Sequence, residues 1–195
     1  GAISIASGVS MTLSDSTVSN SILYCNTNEV PICLGGGIAS NGSLDVINST
    51  LAGNSIQQIS SSYPDAPAAG SALAVNGGAT TLQWSTIAGN IDPHGNVSSS
   101  SLARQAGSLA VSDSIVANNG SMNCSGSITD AGGNLAHGDT TCTGFASGDP
   151  KLGVLADNGG PTKTMLPGAG SAALDQIVCT QDADQRGVAR PQGNQ

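Results

Sequence analysis

Residues 42–55 read GSLDVINSTLAGNS, and three other stretches of the chain repeat the same phrase. They are GVSMTLSDSTVSNS at residues 8–21, GATTLQWSTIAGNI at residues 78–91 and GSLAVSDSIVANNG at residues 107–120. In each stretch an aliphatic residue precedes a short polar turn, and a second aliphatic residue follows the turn. Self-similarity of this kind is the signature of a repeat architecture, in which each unit stacks on the next.

Apolar and polar residues alternate within each stretch, which is the period of a β-strand and not of a helix. One such unit cannot bury its own apolar side, so we expect successive units to stack. The stacked columns are predicted to be Leu13, Val46, Leu82 and Val111, then Val18, Leu51, Ile87 and Val116. The sequence therefore predicts an all-β fold, a right-handed parallel β-helix (a solenoid). An antiparallel sandwich would not need the same phrase four times in one register.

A further strand precedes three of the repeats, and its inward residues are predicted to be Ile5, Ile38 and Leu73. The corners are predicted to carry ladders of hydrogen-bonded polar side chains, because buried polar groups need partners. The ladder residues are Ser16, Ser49, Ser85 and Ser114, with Asn20, Asn54, Asn90 and Asn119.

Three inserts lengthen the repeats, at about Ile22–Leu34, Ile56–Ala69 and Asp92–Arg104. All three leave the same edge, so we expect them to cluster on one side, where repeat proteins often bind. The chain is expected to form a single structural domain. Residues 1–130 would hold the coils with their inserts, and residues 131–195 the last coil and a C-terminal capping region.

Composition excludes several classes of protein. Five Lys and Arg against thirteen Asp and Glu give a net charge of −8, which disfavours binding to nucleic acid. No apolar run approaches the roughly 20 residues of a transmembrane helix, so no transmembrane segment is expected. The chain has no initiator Met and no signal peptide, so we expect a processed chain or a fragment.

The five cysteines lack the paired spacing of a zinc site. Cys25 and Cys33 bracket a short segment, and Cys124 and Cys142 bracket a Gly-rich loop. Both spacings suit local disulfides, which indicate an oxidising, extracellular location. Cys179 is left over, either unpaired or bonded to a cysteine outside this chain.

The chain resembles a bacterial family of secreted or surface parallel β-helix proteins with polymorphic outer-membrane-protein-like repeats. GGGIASNGSLDVINSTLAGNS from Gly35 is similar to their repeat. AGGNLAHGDTTC from Ala131, GDPKLGVLADNGGPTKTMLPGAGSAALDQ from Gly148 and DQRGVARPQG from Asp184 resemble the end of proteins with a choice-of-anchor domain. The resemblance implies a bacterial, extracellular or cell-surface module.

The C-terminal region has a predicted structural role of its own. A cap would cover the open end of the solenoid, whose unpaired strand edge otherwise recruits other strands. Within this cap, Arg186 is predicted to pair bidentately with Asp175 or Asp184.

Candidate chemistry is sparse on the repeats. Asp15 and Asp113 align at one polar corner, and Asp45 lies earlier in its repeat, so these carboxylates are read as turn residues. His94 and His137 are read as loop residues without a partner motif. Asp182 and Asp184 are weak candidates for calcium, and otherwise no cofactor or metal is expected.

Some β-helices act on polysaccharides, and Tyr24, Tyr63 and Trp84 are the side chains suited to stacking on a sugar. A column of Thr17, Thr50 and Thr86 is the one feature that would suit ice binding, but Ile115 interrupts it.

These observations predict a non-catalytic extracellular or cell-surface scaffold, such as an adhesin or a fibre subunit. A solenoid has two different ends, so we expect head-to-tail self-association into filaments. A cell-surface or glycan ligand is a further expected partner. The alternative function is a carbohydrate-active, polysaccharide lyase-like enzyme or a glycan-binding β-helix.

Overall fold

A computed structural model of the chain describes residues 1–25, 33–58, 68–91, 100–120 and 122–190. Eighteen β-strands and no α-helix occur in these residues, so the described part of the chain is all-β, as predicted. Short runs of Val, Ile, Leu and Thr between Gly, Asn and Asp turns account for the strands, because branched side chains fit a pleated surface.

The strands fall into five repeats and a partial sixth layer. Repeat 1 contains β1 (Ile3–Ile5), β2 (Ser10–Ser14), β3 (Thr17–Ser19) and β4 (Ile22–Cys25). Repeat 2 contains β5 (Cys33–Leu34), β6 (Ile38–Ser40), β7 (Ser43–Ile47), β8 (Thr50–Ala52) and β9 (Ser55–Gln58). Repeat 3 contains β10 (Ala68–Ala69), β11 (Leu73–Gln83) and β12 (Thr86–Ala88). Repeat 4 contains β13 (Ser100–Ser112) and β14 (Ile115–Ala117), and repeat 5 contains β15 (Met122–Ser125), β16 (Thr129–Asp130) and β17 (Leu135–His137). The last strand, β18 (Ala146–Ser147), begins the sixth layer.

Each strand pairs in parallel with a strand of a neighbouring repeat. An eight-stranded sheet contains the path β1-β6-β11-β13-β15 together with β2, β7 and β16. A six-stranded sheet runs β18-β17-β14-β12-β8-β3, and β4–β9 and β5–β10 form two-stranded sheets. Mostly parallel sheets with counterparts stacked in sequence order are compatible with the predicted β-helix and contradict an antiparallel sandwich.

The predicted apolar columns are confirmed by the strand register. Val46 pairs with Leu13 on one side and with Leu82 on the other, and Leu82 pairs in turn with Val111. Leu51 likewise lies between Val18 and Ile87. The middle members of both columns are 0% exposed, so the core of the described chain is built from stacked like side chains.

The earlier strand of each repeat differs from the prediction in two places. Ile38 pairs with Leu73 and with Ile3, whereas Ile5 pairs with Ser40, so the stacking partner of Ile38 lies two residues before the predicted one. Ile5 is nevertheless buried. Repeat 4 also contains this strand, with Leu102 paired to Leu73. We predicted these residues as the end of the third insert, because the polar residues on both sides of Leu102 resemble a loop.

The serine ladder forms as predicted. The backbone N–H of Ser16, Ser49 and Ser85 each donates to the hydroxyl oxygen of the serine one repeat later, at 3.0–3.2 Å. The last serine, Ser114, donates its N–H to the side chain of Asn134 instead. The serine hydroxyl of one repeat therefore accepts the hydrogen bond that the backbone N–H of the previous repeat donates.

The asparagine ladder includes Asn54, Asn90 and Asn119, but not Asn20. The backbone N–H of Ser21, not that of Asn20, donates to Asn54 Oδ1. Asn20 lies one residue earlier, at a corner with a φ of 54°. The prediction was wrong because Asn20 and Asn54 were matched at a spacing of 34 residues, whereas the hydrogen-bonded register of repeats 1 and 2 has a spacing of 33.

A second corner brings together Asp15, Asn48, Trp84 and Asp113, each with a φ between 49° and 55°. Asn and Asp adopt this left-handed conformation more easily than other residues, which explains three of the four. For Trp84 the conformation is strained, and the stacked corners above and below it impose it. The alignment of Asp15 with Asp113 is confirmed, although two repeats separate them.

The inserts begin and end beside one another. The strand β4 pairs with β9, β5 pairs with β10, and the N–H of Gly70 donates to the carbonyl oxygen of Ser100. The described stems therefore lie on one edge, as predicted. The interiors of the three inserts, residues 26–32, 59–67 and 92–99, lie outside the described residues.

Candidate functional site

The C-terminal segment, residues 148–190, lies along the side of the repeats. We predicted a cap over the open end, but this segment reaches back to repeats 1 and 2. The hydroxyl of Thr17 donates to the carbonyl oxygen of Lys163, and Asn48 Nδ2 contacts the carbonyl oxygen of Ala183. The segment covers this side because the strand face and its corner offer hydroxyls, amides and carbonyls as partners.

Gln185 is the main attachment of the segment to the repeats. It is 8% exposed, and its Nε2 donates to the carbonyl oxygen of Ser16 and to the hydroxyls of Thr17 and Thr162. Its Oε1 accepts from the Thr50 hydroxyl at 2.7 Å. Both ends of this buried amide are satisfied, so Gln185 joins two repeats to the segment through one side chain.

The predicted cap ion pair joins Arg186 to Asp184 and not to Asp175, which is exposed. Nε and Nη2 of Arg186 both donate to Asp184 Oδ2, at 2.9 and 2.6 Å, rather than forming a two-oxygen fork. The other oxygen accepts from the backbone N–H of Arg186 and Val188. Burial alone would raise the pKa of Asp184, but these hydrogen bonds and the guanidinium charge hold it below its ordinary value.

The two predicted sugar-stacking residues that the structure describes, Tyr24 and Trp84, lie on different parts of the fold. Tyr24 lies on β4 and is 61% exposed, whereas Trp84 lies at the corner that follows β11, and Tyr63 lies outside the described residues. The guanidinium carbon of Arg190 lies 5.8 Å from the centre of the Trp84 ring, a cation–π distance. The C-terminal segment therefore already supplies a contact to this ring.

A cavity of about 720 Å³ separates the six-stranded sheet from the C-terminal segment. One wall follows the register-paired residues Thr50, Thr86, Ile115, Leu135 and Ala146. These five layers span about 19 Å at the usual 4.8 Å between strands. The opposite wall comes from residues 164–190, so the cavity is an elongated slot parallel to the stacking direction.

Asp15 and Asp113, the two carboxylates that align at one corner of the repeats, are not spaced as a catalytic pair. Asp15 and Asp113 are three layers apart, about 14 Å at the usual strand spacing, which exceeds the separation used by glycosidases. Asp15 Oδ1 accepts from Asn48, and Asp45 Oδ1 accepts from the Thr81 hydroxyl. Burial raises the pKa of Asp113, and a hydrogen bond with the Ser112 side chain offsets part of this rise.

Disulfides join Cys25 to Cys33 and Cys124 to Cys142, with Cα–Cα distances of 6.0 and 5.0 Å. The first belongs to a small apolar cluster beside the inserts, and the second packs in the main core. Cys179 is unbonded and partly buried, and its thiol donates to the carbonyl oxygen of Gln181. Two disulfides fit an oxidising extracellular environment.

The remaining candidates have ordinary surroundings. His137 lies on the strand β17, not in a loop as predicted, and its Nε2 is 3.9 Å from Asp149 Oδ1. His94 lies outside the described residues. Within the described ranges, no group of three or more His, Cys, Asp or Glu side chains is arranged to hold a metal ion.

The threonine column has the predicted register, but the C-terminal segment covers it. Thr50 pairs with Thr17 and Thr86, and Ile115 follows, as predicted. Thr50 is only 2% exposed, and its hydroxyl is occupied by Gln185. A flat, solvent-facing threonine array, which ice binding would need, is therefore not formed.

The cavity and the C-terminal segment that covers it were not predicted from the sequence. Residues 148–190 lack the period of the repeats, so no alignment shows which repeat they contact. The sequence did offer one indication that this segment packs on another surface. The DQRGVAR stretch holds Gln185 and Arg190, whose side chains can form hydrogen bonds and ring contacts.

No protein-family model matches the chain, and no curated protein or solved structure matches it either. Within the described residues, no helix is long and apolar enough to cross a membrane.

Proposed function

We propose that the chain is a right-handed parallel β-helix that serves as a non-catalytic scaffold, adhesin or fibre subunit on a bacterial cell surface or outside the cell. The observation that carries this proposal is the in-register parallel stacking of like side chains across successive repeats. Such stacks are stiff, extended and independent of any ligand. The two disulfides support an extracellular location.

Self-association is supported by the strand edges of the stack. In the described structure β1, β2 and β3 each pair on one side, with repeat 2, and their other edge carries unpaired backbone groups. Ile3, Met11 and Leu13 on this layer are only partly buried, although they pack on the core. Unpaired strand edges beside apolar surface recruit further strands, so head-to-tail addition of a second copy gives an open filament.

Negative-stain electron microscopy and light scattering over a range of protein concentrations test this function. We expect unbranched filaments whose length grows with concentration. A Met11→Lys variant places a charge on the open layer and is expected to block growth, while Thr12→Lys, on the exposed face of the same strand, leaves it intact. A monodisperse monomer at high concentration would contradict the fibre role.

The alternative, glycan binding, retains one favourable observation. The Tyr24 ring is 61% exposed on the edge from which the inserts leave. A glycan array with the chain and with Tyr24→Ala tests it. Binding that the substitution abolishes would support a glycan-binding surface, and depolymerisation of pectin, alginate or chondroitin would support an enzyme instead.

A further inference from the structure

The slot beneath the C-terminal segment has an excess of negative charge. Asp113, Asp130, Asp175 and Asp184 line it, together with the two cations Arg186 and Arg190. The Arg186 guanidinium is committed to Asp184, and Arg190 lies over the Trp84 ring. Three carboxylates therefore face the slot without an ion-pair partner among the described residues.

The lining combines these carboxylates with one amide oxygen that has no donor. The one buried amide donor of the segment, Gln185 Nε2, already donates to three oxygens. Asn48, which also lines the slot, is 6% exposed, and its Oδ1 has no hydrogen-bond partner although it is buried. Its Nδ2 donates to Asp15, which fixes the orientation of the amide. A buried acceptor without a donor costs about 1–3 kcal/mol, so this position favours a ligand that donates.

The wall between these acceptors is apolar. Ile115 and Leu135 face the slot from the sheet, and Met165 and Pro167 face it from the segment. The slot extends over five layers of the sheet, and the carboxylates are distributed along it rather than converging on one point. A single metal ion needs converging ligands, whereas an extended ligand with separated positive ends matches this distribution.

We propose that this slot binds a linear aliphatic amine that carries two or more ammonium groups joined by methylene chains. An ammonium group has three donors and no acceptor, which complements a lining of carboxylates and an unpartnered amide oxygen. The methylene chain packs on the aliphatic wall. A sugar of similar length needs donors from the protein, and two of the donors here are already occupied: Arg186 bonds to Asp184, and Gln185 bonds to three oxygens.

Isothermal titration calorimetry with the full chain tests the proposal, at near-physiological salt to suppress diffuse attraction. The probe is 1,8-diaminooctane, and octane-1,8-diol is the uncharged control of equal length. We expect the diamine to bind at one site per chain and the diol to give no measurable binding. Equal binding of both probes, or no diamine binding at millimolar concentration, would overturn the proposal.

Two variants locate the site. Asp113→Asn removes one carboxylate at a corner whose φ of 51° suits Asn as well as Asp, and it is expected to weaken diamine binding about tenfold. Asp175→Asn makes the equivalent change on the segment, where φ is 53° and the side chain is exposed, so folding is not at risk.

The matched control is Asp45→Asn, which removes the same charge from the eight-stranded sheet, away from the slot. It is expected to change diamine affinity by less than about twofold, as an exposed charge at a distance does. If Asp45→Asn weakened binding as much as the two slot variants, the attraction would be diffuse and the site would be refuted. Filament formation, which belongs to the proposed scaffold role, is not altered by any of these results.

Discussion

The repeats and the C-terminal segment of this chain are stabilised in different ways. In the repeats, a side chain such as Leu82 packs on its counterparts in the layers above and below, and backbone hydrogen bonds follow the same register. In the segment, single side chains such as Gln185 make the attachment, and the isolated bridges Leu152–Pro167, Ala156–Thr164 and Ala183–Ala189 are antiparallel. The contrast teaches that periodic contacts can be inferred from spacing, whereas aperiodic ones depend on which surfaces meet.

The largest expected effect lies in an apolar column of the repeats. Leu82→Ala removes a side chain that is 0% exposed between Val46 and Val111, so it should lower the free energy of unfolding by about 2–5 kcal/mol. Chemical denaturation followed by circular dichroism measures it. Gln83→Ala, at the next and exposed position, should change stability by less than about 0.5 kcal/mol. Similar losses for both variants would contradict the assignment of the column.

The polar ladder should come next. Asn90 is fully buried, donates to the carbonyl oxygen of Leu51 and accepts from the backbone N–H of Asn54. Asn90→Ala leaves both groups without a partner, so we expect a loss of about 2 kcal/mol or more in the free energy of unfolding.

The control for the ladder is Asn118→Gly. Asn118 is exposed at a corner with a φ of 54°, which glycine adopts without strain, so this change should cost only a few tenths of a kcal/mol. If Asn118→Gly proved as harmful as Asn90→Ala, the corner and not the ladder would be the stabilising element.

The segment should respond locally to a change that spares the repeats. Gln185→Ala leaves the Thr50 hydroxyl and the carbonyl oxygen of Ser16 without their partner, and we expect about 1–3 kcal/mol of local stability to be lost. Hydrogen exchange should then accelerate in residues 148–190 while the core strands keep their protection. Gln176→Ala is the control, since Gln176 is exposed. Uniform acceleration across the whole chain would show that the two regions unfold as one unit.

The smallest effect concerns pH. The pKa of Asp184 is lowered in the folded chain, so its contribution to stability is complete above the unfolded pKa of about 3.9 and is lost as the pH falls through the folded pKa. Asp113 has a raised pKa, so its contribution has the opposite sign and is lost as the pH rises through the folded pKa.

Thermal unfolding of Asp184→Asn and Asp113→Asn between pH 2 and pH 7 checks these signs. The first variant should lose part of the destabilisation seen in acid, and the second should gain stability relative to the parent chain as the pH rises. Parallel pH profiles for both variants and the parent would contradict both assignments.

Most of the repeat architecture could be predicted, and the errors have physical causes. The columns of Leu13 and Val18 were assigned correctly, because β-branched and aliphatic residues at a fixed spacing have few alternative positions. The first position of the asparagine ladder was assigned one residue too early, to Asn20 instead of Ser21, since a corner and a ladder both favour Asn. The strand containing Leu102 was not predicted, because its flanking residues are polar and its burial comes from the neighbouring repeats.

The amino-acid sequence by itself determined the stacking of the repeats, because alternation and spacing constrain which side chains can face inward and which layer follows which. It also placed four cysteines at separations that local disulfides can close. Only the tertiary structure decided where residues 148–190 lie, that Arg186 pairs with Asp184, and that a slot exists beside Asp113. These features come from the meeting of two surfaces without a common period, and no spacing along the chain records such a contact.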